Sequence, residues 1–180
     1  MSRHREDWLV GGDRRAEAAD RILAAAAEVI ARDGLDRFDI DALAARVHCS
    51  RATVYRHAGG KAQIRDAVLA RSATRIVAAV RAAVAGRTGQ DRVLAAVSVA
   101  VGEVRADPVA RLLIDAAGTR SLTASDAVAG FAAELAGLAD DDPDAADWIV
   151  RVVLSLLFWP AVDAQTEGRM LQRFLAPAFD

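Results

Sequence analysis

The sequence predicts an all-α fold of about nine helices. Three observations carry that prediction. Alanine, valine, leucine and arginine dominate a chain of 180 residues, 53% of them apolar and 5% aromatic, and alanine, leucine and arginine are strong helix formers. Apolar residues recur at spacings of three and four along most of the chain. No run alternates apolar and polar residues between turn signals, as a half-buried strand would. A chain of this size can bury one or two compact cores.

Residues 1–13 carry both charge signs and read as a flexible tail. From Arg14 to Arg32, Ile22, Leu23, Ala26, Val29 and Ile30 form one apolar helix face, and Asp33-Gly34 ends it, glycine being suited to a left-handed C-cap. Asp39 is a good N-cap for a short helix, Ile40 to Val47, whose apolar positions Ile40, Leu43, Ala44 and Val47 share a face. His48-Cys49 makes a tight corner. Ser50 caps a second short helix, Arg51 to His57, broken by Ala58-Gly59-Gly60. A long helix starts near Lys61 and runs to about Ala85, where Gly86 to Gly89 stop it. Later helices run from about Asp91 to Ala106, Pro108 to Ala117, and Ser125 (as N-cap) to Ala139. After an acidic linker, Asp140 to Asp144, come Ala145 to Trp159 and Thr166 to Leu175. Pro108 suits a first helical turn, whereas Pro160 and Pro177 suit terminations. The expected division is a tail over residues 1–13, a domain over 14–60 and a second over 61–180.

Composition excludes several classes. A single cysteine, Cys49, rules out an internal disulfide framework and a cysteine-based zinc site, and is expected to be a small packing residue. The longest apolar run, Trp148 to Val162, is interrupted by Arg151 and falls short of a membrane span. With no signal peptide visible, a cytoplasmic protein is expected. His4, His48 and His57 lack metal-ligand spacing, no glycine-rich phosphate loop or nucleophile motif occurs, and no metal, cofactor or enzymatic activity is expected. Asp140 to Asp144 lacks the glycine and closing glutamate of a calcium loop.

Net charge is −2, but it is unevenly spread. Residues 42–75 hold seven Lys or Arg against one acid, a net of +6, and residues 76–180 hold nine bases against fourteen acids, a net of −5. A basic block on an acidic chain suits a local polyanion. It coincides with the two short helices. Helices joined by so tight a corner pack only if facing positions are small or apolar, and Leu43, Ala44, Val47, Cys49 and Val54 hold those positions. The outer face of Arg51 to His57 is then free to enter a major groove. It carries Arg51, Thr53, Tyr55, Arg56 and His57, all donors. Arginine pairs bidentately with guanine, and Ala52 or Thr53 suits a thymine methyl. Ser50 and Asp39 sit at helix N-termini, where free N–H groups favour phosphate, although Asp39 is itself anionic and is expected to cap. Lys61 is placed to reach a neighbouring phosphate.

The stretch from Ile22 to about Leu69 resembles the DNA-binding domain of the TetR family of repressors. The resemblance rests on residues 22–34, 41–47 and 50–57 and on Lys61, with Thr53-Val54-Tyr55-Arg56-His57 the most specific part. It covers about a quarter of the chain. His48 stands where the family usually has glycine, Ala58 where it usually has phenylalanine, and Asp39 where it often has threonine or serine. The resemblance implies a sequence-specific regulator, a ligand-responsive repressor binding a palindromic double-stranded operator as a dimer. It places Asp39, Ser50, Arg51, Ala52, Thr53, Tyr55, Arg56, His57 and Lys61 at the DNA. The alternative is a helical small-molecule-binding or interaction protein with weakened DNA binding.

In the second half, Val93, Leu94, Val97, Val99, Val101 and Val104 surround one helix, and residues 149–159 are apolar on nearly every side of another. Such helices must be buried on more than one face. For the later one, the second face is expected to meet a second copy of the chain through Val153 and Leu157, joined by Met170, Leu171 and Phe174. The resemblance further implies an effector pocket. The candidates to line it are Val97, Val101, Leu112, Phe131, Leu135, Trp148 and Val152, with Ser98, Glu134 or Ser155 orienting an unidentified apolar or amphipathic molecule.

Overall fold

The computed structural model describes residues 7–117, 126–137 and 142–179. These form nine α-helices and no strand. They are α1 (Asp7–Asp33), α2 (Ile40–Arg46), α3 (Arg51–Ala58), α4 (Lys61–Val84), α5 (Gly89–Ala106), α6 (Pro108–Ala117), α7 (Asp126–Ala136), α8 (Pro143–Phe158) and α9 (Ala164–Met170). A π-helical turn, Leu171–Leu175, and a 3-10 turn, Ala176–Phe179, follow α9. Among the described residues no helix is long and apolar enough to cross a membrane. Two compact units divide inside α4, the first ending at Ser72 and the second starting at Ala73. The first turns of α4 bury Ile64 and Val68, which holds them with the first unit rather than with the second.

In the N-terminal unit, α1 packs against α2 and α3, and α2 against α3. The helix face expected of α1 is the buried one: Ile22, Ala26, Val29 and Ile30 are each at most 4% exposed, and Leu23 is half-buried. Gly34 ends the helix in a left-handed conformation (φ +87°), its N–H donating to the Ile30 carbonyl at 2.8 Å. Phe38, fully buried in the short connection before α2, is the largest enclosed side chain of this core. One expectation is overturned at the start of the chain. Residues 7–13 are helical and continue α1 rather than forming a tail, while residues 1–6 lie outside the described residues. Once a helix is nucleated, propagation is cheap, and a twenty-seven-residue helix absorbs the cost of about 1 kcal/mol for each of Gly11 and Gly12.

In the C-terminal unit, α5 is central. Val93, Val97 and Val101 pack with Ala136, Ile149, Leu156, Leu171 and Leu175, whereas Ala96 meets Val80 and Val84 of α4. That is the all-round burial its sequence calls for. Polar ties fix the surrounding helices. Arg105 donates to Glu167 at 2.7 Å and to the Leu156 carbonyl at 2.8 Å. Arg92 donates to the Leu135 and Glu134 carbonyls, each at 3.0 Å, closing the end of α7. Gly137 follows with φ +71°, which favours glycine, and a Cβ there would lie 2.6 Å from the Arg92 Nε, so a larger residue would also push the guanidinium from the carbonyls it binds. Asp107 caps α6 through Val109 N–H and Ala110 N–H. Its other carboxylate oxygen accepts from Arg75 at 2.8 Å. The acidic run is a helix start rather than a linker: Asp142 accepts from the Ala145 N–H at 2.9 Å, and Pro143 and Asp144 belong to α8, where carboxylates favour the N-terminal dipole. Asp140, Asp141 and the expected cap Ser125 lie outside the described residues. Pro177 sits within the 3-10 turn instead of stopping the last helix.

Candidate nucleic-acid interface and effector cavity

The geometry of α2 and α3 follows from local chemistry. Asp39 has extended backbone and its carboxylate accepts from the Asp41 and Ala42 N–H groups at 3.1 and 3.4 Å, so it caps α2 as its charge suggests. His48 takes φ +53°, the left-handed corner, and is the one non-glycine residue with positive φ among those described. Ser50 caps α3, its Oγ accepting from the Thr53 N–H at 3.2 Å and lying 2.9 Å from the Thr53 Oγ1. Leu43, Ala44 and Val54 are buried between the two helices, with Val47 and Cys49 half-buried beside them.

This packing leaves Ser50, Arg51, Ala52, Tyr55 and Arg56 exposed on α3 and its cap, with Asp39 and Lys61 exposed at the starts of α2 and α4. Thr53 and His57 are half-buried, and His57 Nδ1 is enclosed without a hydrogen-bond partner. That nitrogen points away from water. Contact of His57 with a duplex is therefore limited to the rest of its ring.

The net charge of the segment overstates its free positive charge. Arg46 is paired with Glu28, Arg51 with Asp41 (3.1 Å) and Arg71 with Asp20 (2.8 Å). Arg75 pairs with both Glu103 and Asp107, and the hydrogen bond it donates to Asp107 raises its pKa above the ordinary arginine value, Glu103 adding to the shift. Among the seven bases counted from sequence, Arg56, Lys61 and Arg65 have no carboxylate partner among the described residues. Lys61 instead donates to the Asp36 carbonyl at 3.3 Å. Sequence reading missed these pairs because Arg51 and Asp41 meet only across the His48 corner. It also missed Arg15, whose guanidinium reaches the Arg56 carbonyl at 3.5 Å, at the end of α3 where carbonyls lack helical partners.

In the C-terminal unit an apolar cavity of about 200 Å³ is lined by α4, α5, α6, α7 and α8. Val97 and Leu135 line it as expected, joined by Ile114, Val128, Ile149 and Val150 among others. The remaining pocket candidates are elsewhere. Val101 is packed solidly in the core and Leu112 is half-buried outside the cavity wall. Ser98 and Phe131 face solvent, and Glu134 is exposed and paired with Arg81 at 2.8 Å. Trp148, Val152 and Ser155 line a separate surface groove of about 310 Å³, together with Met170, Leu171 and Phe174. The dimer candidates divide in the same way. Val153 and Leu157 turn inward to the cavity, whereas Met170 and Phe174 are exposed and Leu171 is buried at the groove floor. The reason is helical phase: residues 153 and 157 share one stripe of α8, and 148, 152 and 155 share another.

Comparison with known proteins agrees with this architecture. Residues 22–68 match the family model for bacterial regulatory proteins of the tetR family. An uncharacterized HTH-type transcriptional regulator of Mycobacterium tuberculosis is 30% identical over 182 residues, covering 95% of this chain and 89% of that one. The DNA-binding transcriptional repressor TetR of Mycobacteroides abscessus is 43% identical over 58 residues, 32% of this chain and 29% of its own. The crystal structure of a TetR-like transcriptional regulator from Rhodococcus sp. RHA1 shares the fold, with a TM-score of 0.63 at 18% identity over 86% of this chain and 91% of that one. With its capped, left-handed corner and its exposed α3 face, the chain belongs to the TetR family and is a DNA-binding transcriptional regulator.

Proposed function

We propose that the protein is a ligand-responsive repressor that binds a palindromic operator as a homodimer. The observation that carries this reading is the double apolar character of α8. One stripe walls the apolar cavity, and the other, with Trp148 half exposed and Phe174 69% exposed on the segment after α9, presents an uncovered groove. A second copy is the natural occupant, because contiguous exposed aromatics mark an interface and a symmetric pair places two recognition helices one or more helical turns, roughly 34 Å, apart. A molecule in the cavity acts on DNA only by binding better to a form in which that spacing differs. The family comparison supports a regulator, and the two apolar faces support the ligand and the partner.

Footprinting on DNA flanking the protein's own gene, across a salt series, tests the DNA half. A protected palindrome bound far more tightly than random duplex is expected. Binding no better than random at every salt concentration overturns the reading.

A further inference from the structure

The cavity has an asymmetric environment that narrows its ligand. Among the described residues, the fourteen that line it are all alanine, valine, leucine or isoleucine. An unpaired polar group placed among them would lose its hydrogen bonds to water and gain none, and a charge would fare worse. With no aromatic ring among the described residues of the wall, planar ligands find nothing there to stack on. At roughly 30 Å³ for a water-sized group, a volume of about 200 Å³ takes about seven methylene-sized units.

A second, smaller space of about 140 Å³ abuts the first, since Val104, Ile114 and Leu157 line both. Its other walls are Arg111, Asp115 and Phe158. Arg111 and Asp115 lie four residues apart on α6, the usual spacing for an ion pair, yet neither makes an ion pair or side-chain hydrogen bond among the described residues. This sets Arg111 apart. Every other described arginine of the C-terminal unit has a polar or ring partner. One donor group and one acceptor group, both exposed to solvent and without a protein partner, thus stand beside a hydrocarbon chamber, and their charges balance.

We infer that the cavity binds a medium-chain aliphatic molecule whose uncharged head both accepts and donates hydrogen bonds, such as a primary amide. The tail of about seven or eight carbons fills the aliphatic chamber, and the head carbonyl accepts from Arg111 while its N–H donates to Asp115. Balanced charge disfavours ionic heads: a carboxylate faces Asp115 and an ammonium faces Arg111. This inference rests on the ligand-responsive reading and names its ligand class.

Calorimetric titration of the full-length protein with octanamide, octane, octanoate and octylammonium tests it. Octanamide is expected to bind about a hundredfold more tightly than octane, about tenfold for each of two hydrogen bonds to a charged group, and more tightly than either ion. Arg111→Met and Asp115→Ala, both at exposed positions, should each weaken octanamide about tenfold and leave octane unchanged. Ala132→Leu, which fills the chamber, should abolish all binding while thermal unfolding stays cooperative. Equal affinity for all four probes, tighter binding of either ion, or variants that weaken octane as much as octanamide would overturn the inference. Octanamide that binds as described but does not release DNA upholds this site and sinks the ligand-responsive reading instead.

Discussion

At the scale of single residues, the corner between α2 and α3 and the charges around it decide how the interface behaves. His48 holds a left-handed φ of +53°, which costs an L-residue roughly 1–2 kcal/mol, least for residues such as histidine and asparagine and most for β-branched ones. Stability should therefore fall in the order His48→Gly, wild type, His48→Val, with about 1–2 kcal/mol across the series, measured by urea unfolding; a His48→Val variant as stable as His48→Gly would show that the corner is not strained. Arg51 and Lys61 differ in role. Arg51 lies on the exposed face of α3 and is held by Asp41, so Arg51→Ala should relax sequence preference at one operator position by about 1–3 kcal/mol. Lys61→Ala should weaken binding to every duplex alike and lower the salt slope by about 1, read from affinities over a salt series. Both expectations come from residue type and spacing. The pairing that restrains Arg51 was not, because Asp41 and Arg51 are brought together by a backbone reversal that periodicity does not encode.

At the scale of elements, the caps were the most legible feature. Asp39, Ser50 and Gly34 act at a helix terminus through local hydrogen bonds, which depend on neighbours in sequence alone. The start of α1 and the ends of the later helices were less so, since helix extension there is set by cooperativity and tertiary burial rather than by a signal residue. Phe38 illustrates the same limit. It lies outside any helix and shows no period, yet it is fully enclosed in the core that supports α2 and α3. Phe38→Ala should cost about 3–5 kcal/mol, as large-to-small changes at buried aromatics do. The loss should appear as a lower thermal midpoint together with weakened DNA binding, whereas an unchanged midpoint would mean that the connection before α2 adapts to the missing ring.

At the scale of the whole molecule, α8 does two jobs that its sequence announces without separating. Apolar residues on nearly all sides say that two faces are covered, but not which face meets which neighbour. The structure assigns the stripe containing Val153 and Leu157 to the cavity and the stripe containing Trp148 and Val152 to the groove. That assignment makes the dimer prediction sharp. Phe174→Glu places a charge on a side chain that is 69% exposed at the groove, so it costs the isolated chain little; in a symmetric interface it replaces two apolar contacts by two like charges, which is unfavourable. Sedimentation should therefore show monomer for Phe174→Glu and dimer for wild type, with thermal unfolding of the variant still cooperative. The monomer retains one recognition helix, so its affinity for the palindrome should fall toward that for random duplex while its binding to random duplex weakens far less. Leu157→Glu works in the opposite sense: its charge enters the cavity wall, so it should destabilise the unit itself. A Phe174→Glu protein that remains dimeric and footprints normally would place the partner on some other face.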